Sequence, residues 1–309
     1  MALLFIGCTQ PNPTVPPIGD EIVSAETKYS KIKEDINNML IVFYGRPISI
    51  FIAEITNKTK ESADLPTNIS DIVETSFNEI GEHVNVIADY NKIGEKQVYI
   101  IHGAITEYDV IEERNNGRNI DVEAGKGKGE WIVDGGLDRE SKITKLAINF
   151  NPENMVTGSF VSKSSTANKI TIYQNSSASD FGFSIFGSGF GKNESITRSQ
   201  GIHSSITVLV DLSVAEVLGK LANFPYWLLT KGKVNRTVLN RLTDRFLDDK
   251  LHQKLYKVSY LLSLEDSQVE ATRVMTKSLE NAIKRYKLAH GMRANLYLSQ
   301  QFYRSLLGG

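Results

Sequence analysis

The sequence predicts an α+β protein in three parts: a small α/β layer, a central set of long β-hairpins and a C-terminal helical extension. In the first hundred residues, short amphipathic helical patterns alternate with apolar, β-branched runs that are typical of strands. Glycine-rich alternation fills the middle third, and from Arg236 onward apolar residues recur near helical spacing. We therefore divide the chain into a tether at 1–25, an α/β domain with hairpins at 26–235 and helices at 236–309.

The first part is predicted to begin with a helix and to continue as strand, helix, strand and strand. Ile32, Ile36 and Leu40 recur at helical spacing among charged residues. The run PISIFIAEI at 47–55 is apolar and β-branched, and a polar loop follows it at 56–67. The predicted elements are a helix at 26–40, strands at 47–55, 83–90 and 98–113, and a helix that begins at Asn68 or Ser70 and ends at Ile80.

The middle third carries the signals of antiparallel hairpins. Asn116-Gly117 is a strong hairpin signal, and KITKLAINF at 142–150 alternates between apolar and polar residues. This strand is predicted to turn near Asn151-Pro152 and to return through MVTGSFVS. Further strands are predicted at 169–174 and 181–191, and the apolar segment 202–221 is either one helix or a strand that leads into a helix.

The last part is predicted to be helical to its end. Leu239, Leu242 and Phe246 lie on one helical stripe, and His290-Gly291 is typical of a helix end. Half of each helix is charged, which predicts a solvated outer face. The apolar stripes must therefore pack on the first part of the chain or on a partner.

Composition excludes several classes of protein. The chain has 35 Lys and Arg against 36 Asp and Glu, a net charge of −1, so it lacks the basic excess of a general nucleic-acid-binding protein. A hydrophobic content of 41% is sufficient for a core. No uninterrupted apolar run reaches the roughly 18 residues of a membrane-spanning helix. A membrane could thus be reached only through an anchor or through β-strands.

Catalytic and cofactor motifs are absent from the sequence. AGKGKGEW at 124–131 lacks the strand, loop and helix context of a phosphate-binding loop, and GSGFGKNES at 187–195 has Asn193 where Ser or Thr is required. The five histidines show no metal-ligand spacing, and no nucleophile motif or paired CxxC occurs. We therefore predict no enzymatic activity, no catalytic residue, no metal and no cofactor.

Cys8 is the one cysteine in 309 residues. A single thiol cannot form an intrachain disulfide, so Cys8 is a buried small hydrophobe, a reactive thiol or a site of covalent modification. Phe5-Ile6-Gly7-Cys8 approximates a bacterial lipobox, and the proline-rich polar segment after it would form an extended tether. Thr9 stands where the inner-membrane retention signal has aspartate. This order favours a covalent lipid, such as palmitate, on Cys8 and an outer-membrane location.

Several short motifs resemble the curli-secretion channel lipoprotein family (the CsgG/HfaB group) over Cys8 to about Gly232. GAITEYD at 103–109 is similar to a conserved strand of that family, and KLAINFNPENMVTGSFVSKSS at 145–165 is similar to its hairpin, with Thr157-Gly158 at the turn. The other matching stretches are ISIFIAEITNKT and DIVETSFNEI in the first part and SSITVLVDLSVAEVLGKL before the C-terminal extension.

The resemblance implies a periplasm-facing α/β domain that assembles into a homo-oligomeric ring. Each family member lends two β-hairpins, here about 108–148 and 160–198, to a shared transmembrane β-barrel that leaves no strand edge in lipid. The implied function is a channel for protein export, or the outer-membrane portal of a secretion or surface-fibre assembly machine. The alternative is a ring or scaffold protein of a flagellar or secretion apparatus that forms no pore.

The resemblance also implies roles for particular residues. The loop after the first strand would line the pore mouth, although here it is shorter than in the family and has no aromatic residue. The C-terminal helices would contact other envelope-machine subunits, and the exported polypeptide would be the cargo. The implied residues are Asn57, Thr59, Glu61, Asp64 and Asn68 at the pore mouth, and Ile170, Ile172, Phe181, Phe183 and Ile185 on the lipid side of the second hairpin.

Overall fold

A computed structural model of the chain shows a mixed α/β fold in which helices pack on one curled sheet. Cys8, Glu61, Asp64 and Asn68, which the sequence singles out, lie outside the described residues. The described residues are 31–59, 69–89, 98–114, 140–175, 181–187, 191–192, 197–199, 202–266 and 268–309.

The sheet runs in the order β2-β1-β3-β4-β6-β7-β8, with β5 beside β4 and β9 beside β7. The pairs β1/β2 and β1/β3 are parallel, and the remaining pairs are antiparallel. The strands are β1 (Ile48–Asn57), β2 (Val84–Val86), β3 (Val98–Arg114), β4 (Glu140–Asn154), β5 (Ser159–Phe160), β6 (Thr166–Asn175), β7 (Phe181–Gly187), β8 (Gly191–Lys192) and β9 (Thr197–Ser199).

The described helices follow the predicted order. Asn235, Thr276 and Ser299 accept backbone N–H groups with their side chains and so cap the starts of three of these helices. The helices are α1 (Ile32–Met39), which continues as a π-helical turn (Leu40–Tyr44), α2 (Ile69–Asn78), α3 (Ile202–Ala222), α4 (Trp227–Thr230), α5 (Arg236–Asp248), α6 (Leu251–Ser263), α7 (Lys277–Ala289) and α8 (Gln300–Leu306).

The turn that the sequence predicts near Asn151-Pro152 lies further along the chain. Both residues belong to β4, and the turn spans 155–158, where Gly158 has a φ of +60°. Glycine adopts this conformation without steric cost, which makes it a better turn residue here than Pro152. Pro152 is tolerated because its carbonyl accepts from Val161 N on the β5 side, where the Val161 carbonyl accepts from Ser164 and not from residue 152.

The segment 202–221, which the sequence left open, is one helix that is buried almost along its whole length. Nearly every residue of α3 from Ser205 to Ala222 is buried. The sheet covers one side of α3 through β4, β6 and β7, and helices α1 and α2 pack elsewhere on it. A helix that is apolar all round is expected where a helix forms the centre of a core.

The C-terminal helices pack on the α/β part and share its core. Trp227 Nε1 donates to the carbonyl of Leu307 at 2.9 Å. The ring of Phe43, in the π-helical turn, lies edge-on to the ring of Tyr260 in α6, with centroids 6.3 Å apart. One continuous set of buried side chains joins the sheet, α3 and the helices from α5 to α8. The apolar stripes of the extension thus find their cover within the chain.

Candidate functional site

The most distinctive feature of the sheet is the length of the β3/β4 pair. β3 has 17 residues and β4 has 15, and they pair antiparallel from Tyr99 opposite Asn154 to Arg114 opposite Glu140. At about 3.3 Å per residue β3 is roughly 55 Å long, more than twice an ordinary strand. The described parts of the first predicted hairpin, 108–114 and 140–148, pair antiparallel, whereas Asn116-Gly117 lies outside the described residues.

The outer face of the sheet, opposite α3, is polar along its centre. Glu107 forms an ion pair with Lys169 across the intervening β4 strand. Asp109 lies directly opposite Lys145 on neighbouring strands. These cross-strand pairs of opposite charge are favourable neighbours on a partly solvated sheet. The alternation in β3, β4 and β6 therefore separates an apolar face, toward α3, from a charged face.

The second predicted hairpin is present as β6 and β7, but its apolar side faces the core. Ile170 lies opposite Ile185, and Ile172 lies opposite Phe183. All four side chains are buried, with at most 2% exposed, and both strands pack against α3. In this chain the positions assigned to lipid contact are covered by the protein's own helix, because the apolar surface of α3 competes for them. The side chain of Phe181 lies outside the described part.

Buried polar groups connect β6 to α3. Asn168 Nδ2 donates to Ser213 Oγ at 3.0 Å and to Glu216 Oε2 at 2.8 Å. Lys220 Nζ lies 2.7 Å from Glu216 Oε1 and donates to the carbonyl of Ser165 at 2.6 Å. We call Asn168, Ser213, Glu216 and Lys220 the polar core. The Glu216 and Lys220 charges neutralise each other and Asn168 Nδ2 has two acceptors, whereas Asn168 Oδ1 has no hydrogen-bond partner among the described residues. These contacts hold β6 on α3 in a single register.

The polar core is not among the sites predicted from the sequence, although the spacing of two of its residues indicates it. Glu216 and Lys220 are four residues apart in a helix that is otherwise strongly apolar. A carboxylate and an ammonium at this spacing face each other on one side of a helix. In so apolar a helix, that pairing indicates a buried ion pair with a further polar partner.

A second buried group joins three helices. Ser76 Oγ in α2 donates to Asp211 Oδ1 in α3 at 2.6 Å, and Lys33 Nζ in α1 lies 3.4 Å from the same oxygen. Lys33 also pairs with Glu79 at 2.5 Å. Burial raises the pKa of the Asp211 carboxyl, and Ser76 and Lys33 oppose this effect only in part. Burial acts to lower the pKa of Lys33, but the Glu79 and Asp211 carboxylates outweigh it and raise that pKa.

Asp211→Asn should cost little stability at neutral pH, less than about 1 kcal/mol, because the amide oxygen still accepts from Ser76. Since the folded-state pKa of Asp211 lies above the value of about 3.9 in the unfolded chain, the folded state binds more protons in that window. The stability of the native protein relative to the variant should therefore fall as the pH rises from about 4. Urea unfolding of both proteins between pH 4.5 and 7.5 measures this difference, and parallel pH profiles would contradict it.

Two of the predicted pore-mouth residues lie together at the end of β1. Asn57 Oδ1 accepts from the backbone N–H of Thr59 at 2.9 Å and from its hydroxyl at 2.7 Å, which closes a local side-chain turn. Lys58 N donates to the carbonyl of Ile105 in β3, so this turn lies beside β3. Ser70 Oγ in α2 accepts from Ile55 N. The end of β1 and the start of α2 are thus neighbours, as a short connecting loop requires.

The described residues contain no group of three or more His, Cys, Asp and Glu side chains that could hold a metal ion. The buried carboxylates there are paired with serine, asparagine and lysine.

Within the described ranges, no helix combines the length and the apolar character that crossing a bilayer demands.

No protein-family model matches the sequence, and no curated protein is similar to it. Several solved structures show a distant likeness, and two of them follow. A PelC dodecamer from Paraburkholderia phytofirmans is 14% identical, with a TM-score of 0.29 over 56% of this chain and 90% of that one. A putative neuraminyllactose-binding hemagglutinin homolog from Helicobacter pylori is 11% identical, with a TM-score of 0.29 over 67% of this chain and 92% of that one. A TM-score of 0.29 is too low for either likeness to indicate shared function.

Proposed function

We propose that the chain is a lipid-anchored, periplasm-facing subunit of a homo-oligomeric outer-membrane assembly that serves export or surface-fibre formation. The observation that carries the proposal is the order Phe5-Ile6-Gly7-Cys8, followed by a proline-rich stretch and then a domain with a real core. A tether of extended polar residues places such a domain beside a membrane without contributing to its packing.

The structure is consistent with the resemblance on which the proposal draws. The motifs among the described residues fall on elements of the expected type. The correspondences are 48–59 with β1, 71–80 with α2, 103–109 with β3, 145–165 with the β4/β5 hairpin and 204–221 with α3.

Between the two forms of the proposal, the ring without a pore is favoured by the burial of the second hairpin. Ile170, Ile172, Phe183 and Ile185 are core residues under α3, and the polar core holds β6 on the same helix. A β6/β7 hairpin in lipid would have to leave α3. Its apolar side would then face acyl chains, and the side of α3 that it now covers would be exposed. A subunit that keeps this packing acts as a collar or scaffold.

The channel remains the second candidate because of the length of β3 and β4. Strands of 17 and 15 residues exceed the roughly 9–11 residues that cross a bilayer when tilted. Planar-bilayer recording of the detergent-purified protein separates the two forms. A ring without a pore should give no conductance steps, and reproducible steps would establish the channel.

Cys8→Ser should abolish lipid labelling and release the protein from the outer membrane. The test uses cells that express the chain behind a lipoprotein export signal ending at Cys8 and that are labelled with palmitate. The native protein should carry label and require detergent for extraction, whereas the variant should be unlabelled and recovered in the periplasm.

Thr9→Asp is the matched control for this experiment, because it keeps Cys8 and introduces the aspartate of the inner-membrane retention signal. This variant should be labelled like the native protein but should fractionate with the inner membrane. A Cys8→Ser protein that still sediments with the outer membrane would overturn the anchor.

Assembly is tested by the mass of the detergent-extracted particle. We expect a closed ring of identical subunits, because a heterologous interface that closes gives a ring. Native mass spectrometry or electron microscopy measures the subunit number. A strictly monomeric particle at micromolar concentration would contradict the ring and leave the anchor untouched.

A further inference from the structure

The C-terminal part of the chain is basic and carries an exposed projection between α7 and α8. From Lys277 to Gly309 there are six Lys and Arg and a single acidic residue, Glu280, whereas the whole chain has 35 basic and 36 acidic residues. We call residues 288–297, which begin in the last turn of α7, the basic tip. All of its residues are exposed except Met292 and Leu296, which are half-buried.

Two large apolar side chains project from the basic tip. Tyr297 is 74% exposed and Leu288 is 64% exposed, and Tyr297 is the most exposed large hydrophobic residue among those described. Leu296 and Leu298, on either side of Tyr297, are partly buried against the core. The segment is therefore held down by its neighbours while Tyr297 points to solvent.

The projection is ordered by Lys287. Its Nζ donates to the Asn295 carbonyl at 3.0 Å, to Asn295 Oδ1 at 2.8 Å and to the Tyr297 carbonyl at 2.6 Å. Gly291, with a φ of +68°, reverses the chain after α7, and Met292 N returns to the Lys287 carbonyl at 2.7 Å. These contacts hold the Tyr297 backbone at the Lys287 ammonium and so tie it to the last turn of α7. The exposed position of both side chains is thus built into the fold.

The surroundings of these side chains are cationic. Lys284 lies one helical turn before Leu288, so the two share one side of α7. Arg285 is exposed on the same helix and pairs with Asp266 at 2.6 Å, and Arg293 is exposed within the basic tip. A lone leucine and a lone tyrosine among such charges form too small a surface for a stable protein interface, which buries about 800 Å² on each partner. They do match a membrane interface, where single apolar side chains insert between headgroups and cations remain at the phosphates.

We propose that the basic tip docks on the surface of an anionic phospholipid membrane, with Leu288 and Tyr297 inserted between headgroups and Lys284 and Arg293 at the phosphates. The phenol ring suits this role because one end is apolar and the other remains hydrated. The contact is independent of the acyl chain on Cys8. In an anchored protein it would be a second attachment that sets the orientation of the domain.

The test is vesicle co-sedimentation of the full chain carrying Cys8→Ser, purified without an acyl group. The protein should sediment with vesicles of phosphatidylethanolamine and phosphatidylglycerol and should stay in solution with vesicles of phosphatidylcholine alone. Binding should fall as salt rises, because the phosphate contacts are exposed to solvent. The missing anchor separates this result from the outcome of the palmitate experiment.

The double variant Leu288→Ser/Tyr297→Ser should bind at least about tenfold more weakly. It should fold normally, because Lys287 contacts only the backbone of Tyr297. The matched control is Leu247→Ser/Leu251→Ser, which removes two other exposed leucines, 56% and 66% exposed, and should bind like the parent. Arg293→Glu should also weaken binding.

Either of two results would overturn the proposal. One is a parent protein that does not sediment with anionic vesicles. The basic tip would then be a binding site for an acidic protein instead. The other is equal vesicle binding by Leu288→Ser/Tyr297→Ser and the control Leu247→Ser/Leu251→Ser.

Discussion

Replacing Glu216 with alanine should lower the free energy of unfolding by about 3–5 kcal/mol. The carboxylate is fully buried and is shared between Lys220 Nζ at 2.7 Å and Asn168 Nδ2 at 2.8 Å. Its removal leaves the Lys220 ammonium buried with a single carbonyl acceptor, that of Ser165, and leaves a cavity between β6 and α3. Urea unfolding followed by far-UV circular dichroism measures the loss.

The double variant Glu216→Leu/Lys220→Met is the control for this prediction. A buried ion pair can often be replaced by apolar residues of similar volume at little cost, since the charges no longer need solvation. We expect the double variant to recover most of the loss caused by Glu216→Ala. If it is as unstable as that single variant, the unpaired Lys220 charge is not the source of the loss.

Gly219→Ala should also destabilise the protein, by about 1–3 kcal/mol, although alanine ordinarily stabilises a helix. A Cβ at position 219 would lie 2.4 Å from Tyr226 Cδ1 and 2.6 Å from Tyr226 Cβ. Tyr226 cannot move aside, because it is fully buried, its hydroxyl accepts from Asn235 Nδ2, and its ring packs on Trp227. The steric cost must therefore outweigh the gain in helix propensity. Thermal and urea unfolding of the single variant measure the balance.

An exposed site on another helix isolates the propensity contribution. Asn281 lies on the solvent side of α7, and Asn281→Ala should be more stable than Asn281→Gly by about 1 kcal/mol. If alanine instead lowers the free energy of unfolding at position 219, the close approach of Tyr226 is the cause. A Gly219→Ala protein that is more stable than the native chain would show that the segment after α3 can shift.

These two substitutions also bear on the choice between a ring without a pore and a channel. Glu216 holds the second hairpin on α3, and Gly219 lets the segment around Tyr226 and Trp227 close over the same helix. A channel that inserts β6 and β7 into lipid must break the first contact. A scaffold keeps both contacts. If the chain is a scaffold, Glu216→Ala should therefore weaken ring assembly as well as the stability of the subunit.

Much of the secondary structure could be predicted from the sequence because each element has a clear period. The strand runs at 47–55 and 98–113 became β1 and β3, and the helical pattern that ends near Ile80 became α2. His290-Gly291 ends α7 as predicted, since Gly291 adopts a positive φ. The turn after β4 was misplaced because Pro152 is a strong turn signal taken alone. In the sheet it lies opposite Val161, whose carbonyl accepts from Ser164 instead.

The candidate site was harder to predict, and the second hairpin shows the reason. The alternation of Ile170, Ile172, Phe183 and Ile185 correctly identified one apolar side of two strands. The alternation of apolar and polar residues shows that this side must be covered by an apolar surface, but it does not identify that surface. Lipid and a buried helix are both apolar, and only the packing of α3 distinguishes them.

The sequence by itself determined the element types, the apolar side of each strand and helix, the motif around Cys8 and the basic character of the last 33 residues. These properties depend on the order of neighbouring residues along the chain. The tertiary structure decided that the C-terminal helices pack on their own chain and that Glu216 and Lys220 meet Asn168. Those contacts join residues far apart in sequence, so their existence depends on the shapes and charges that meet after folding.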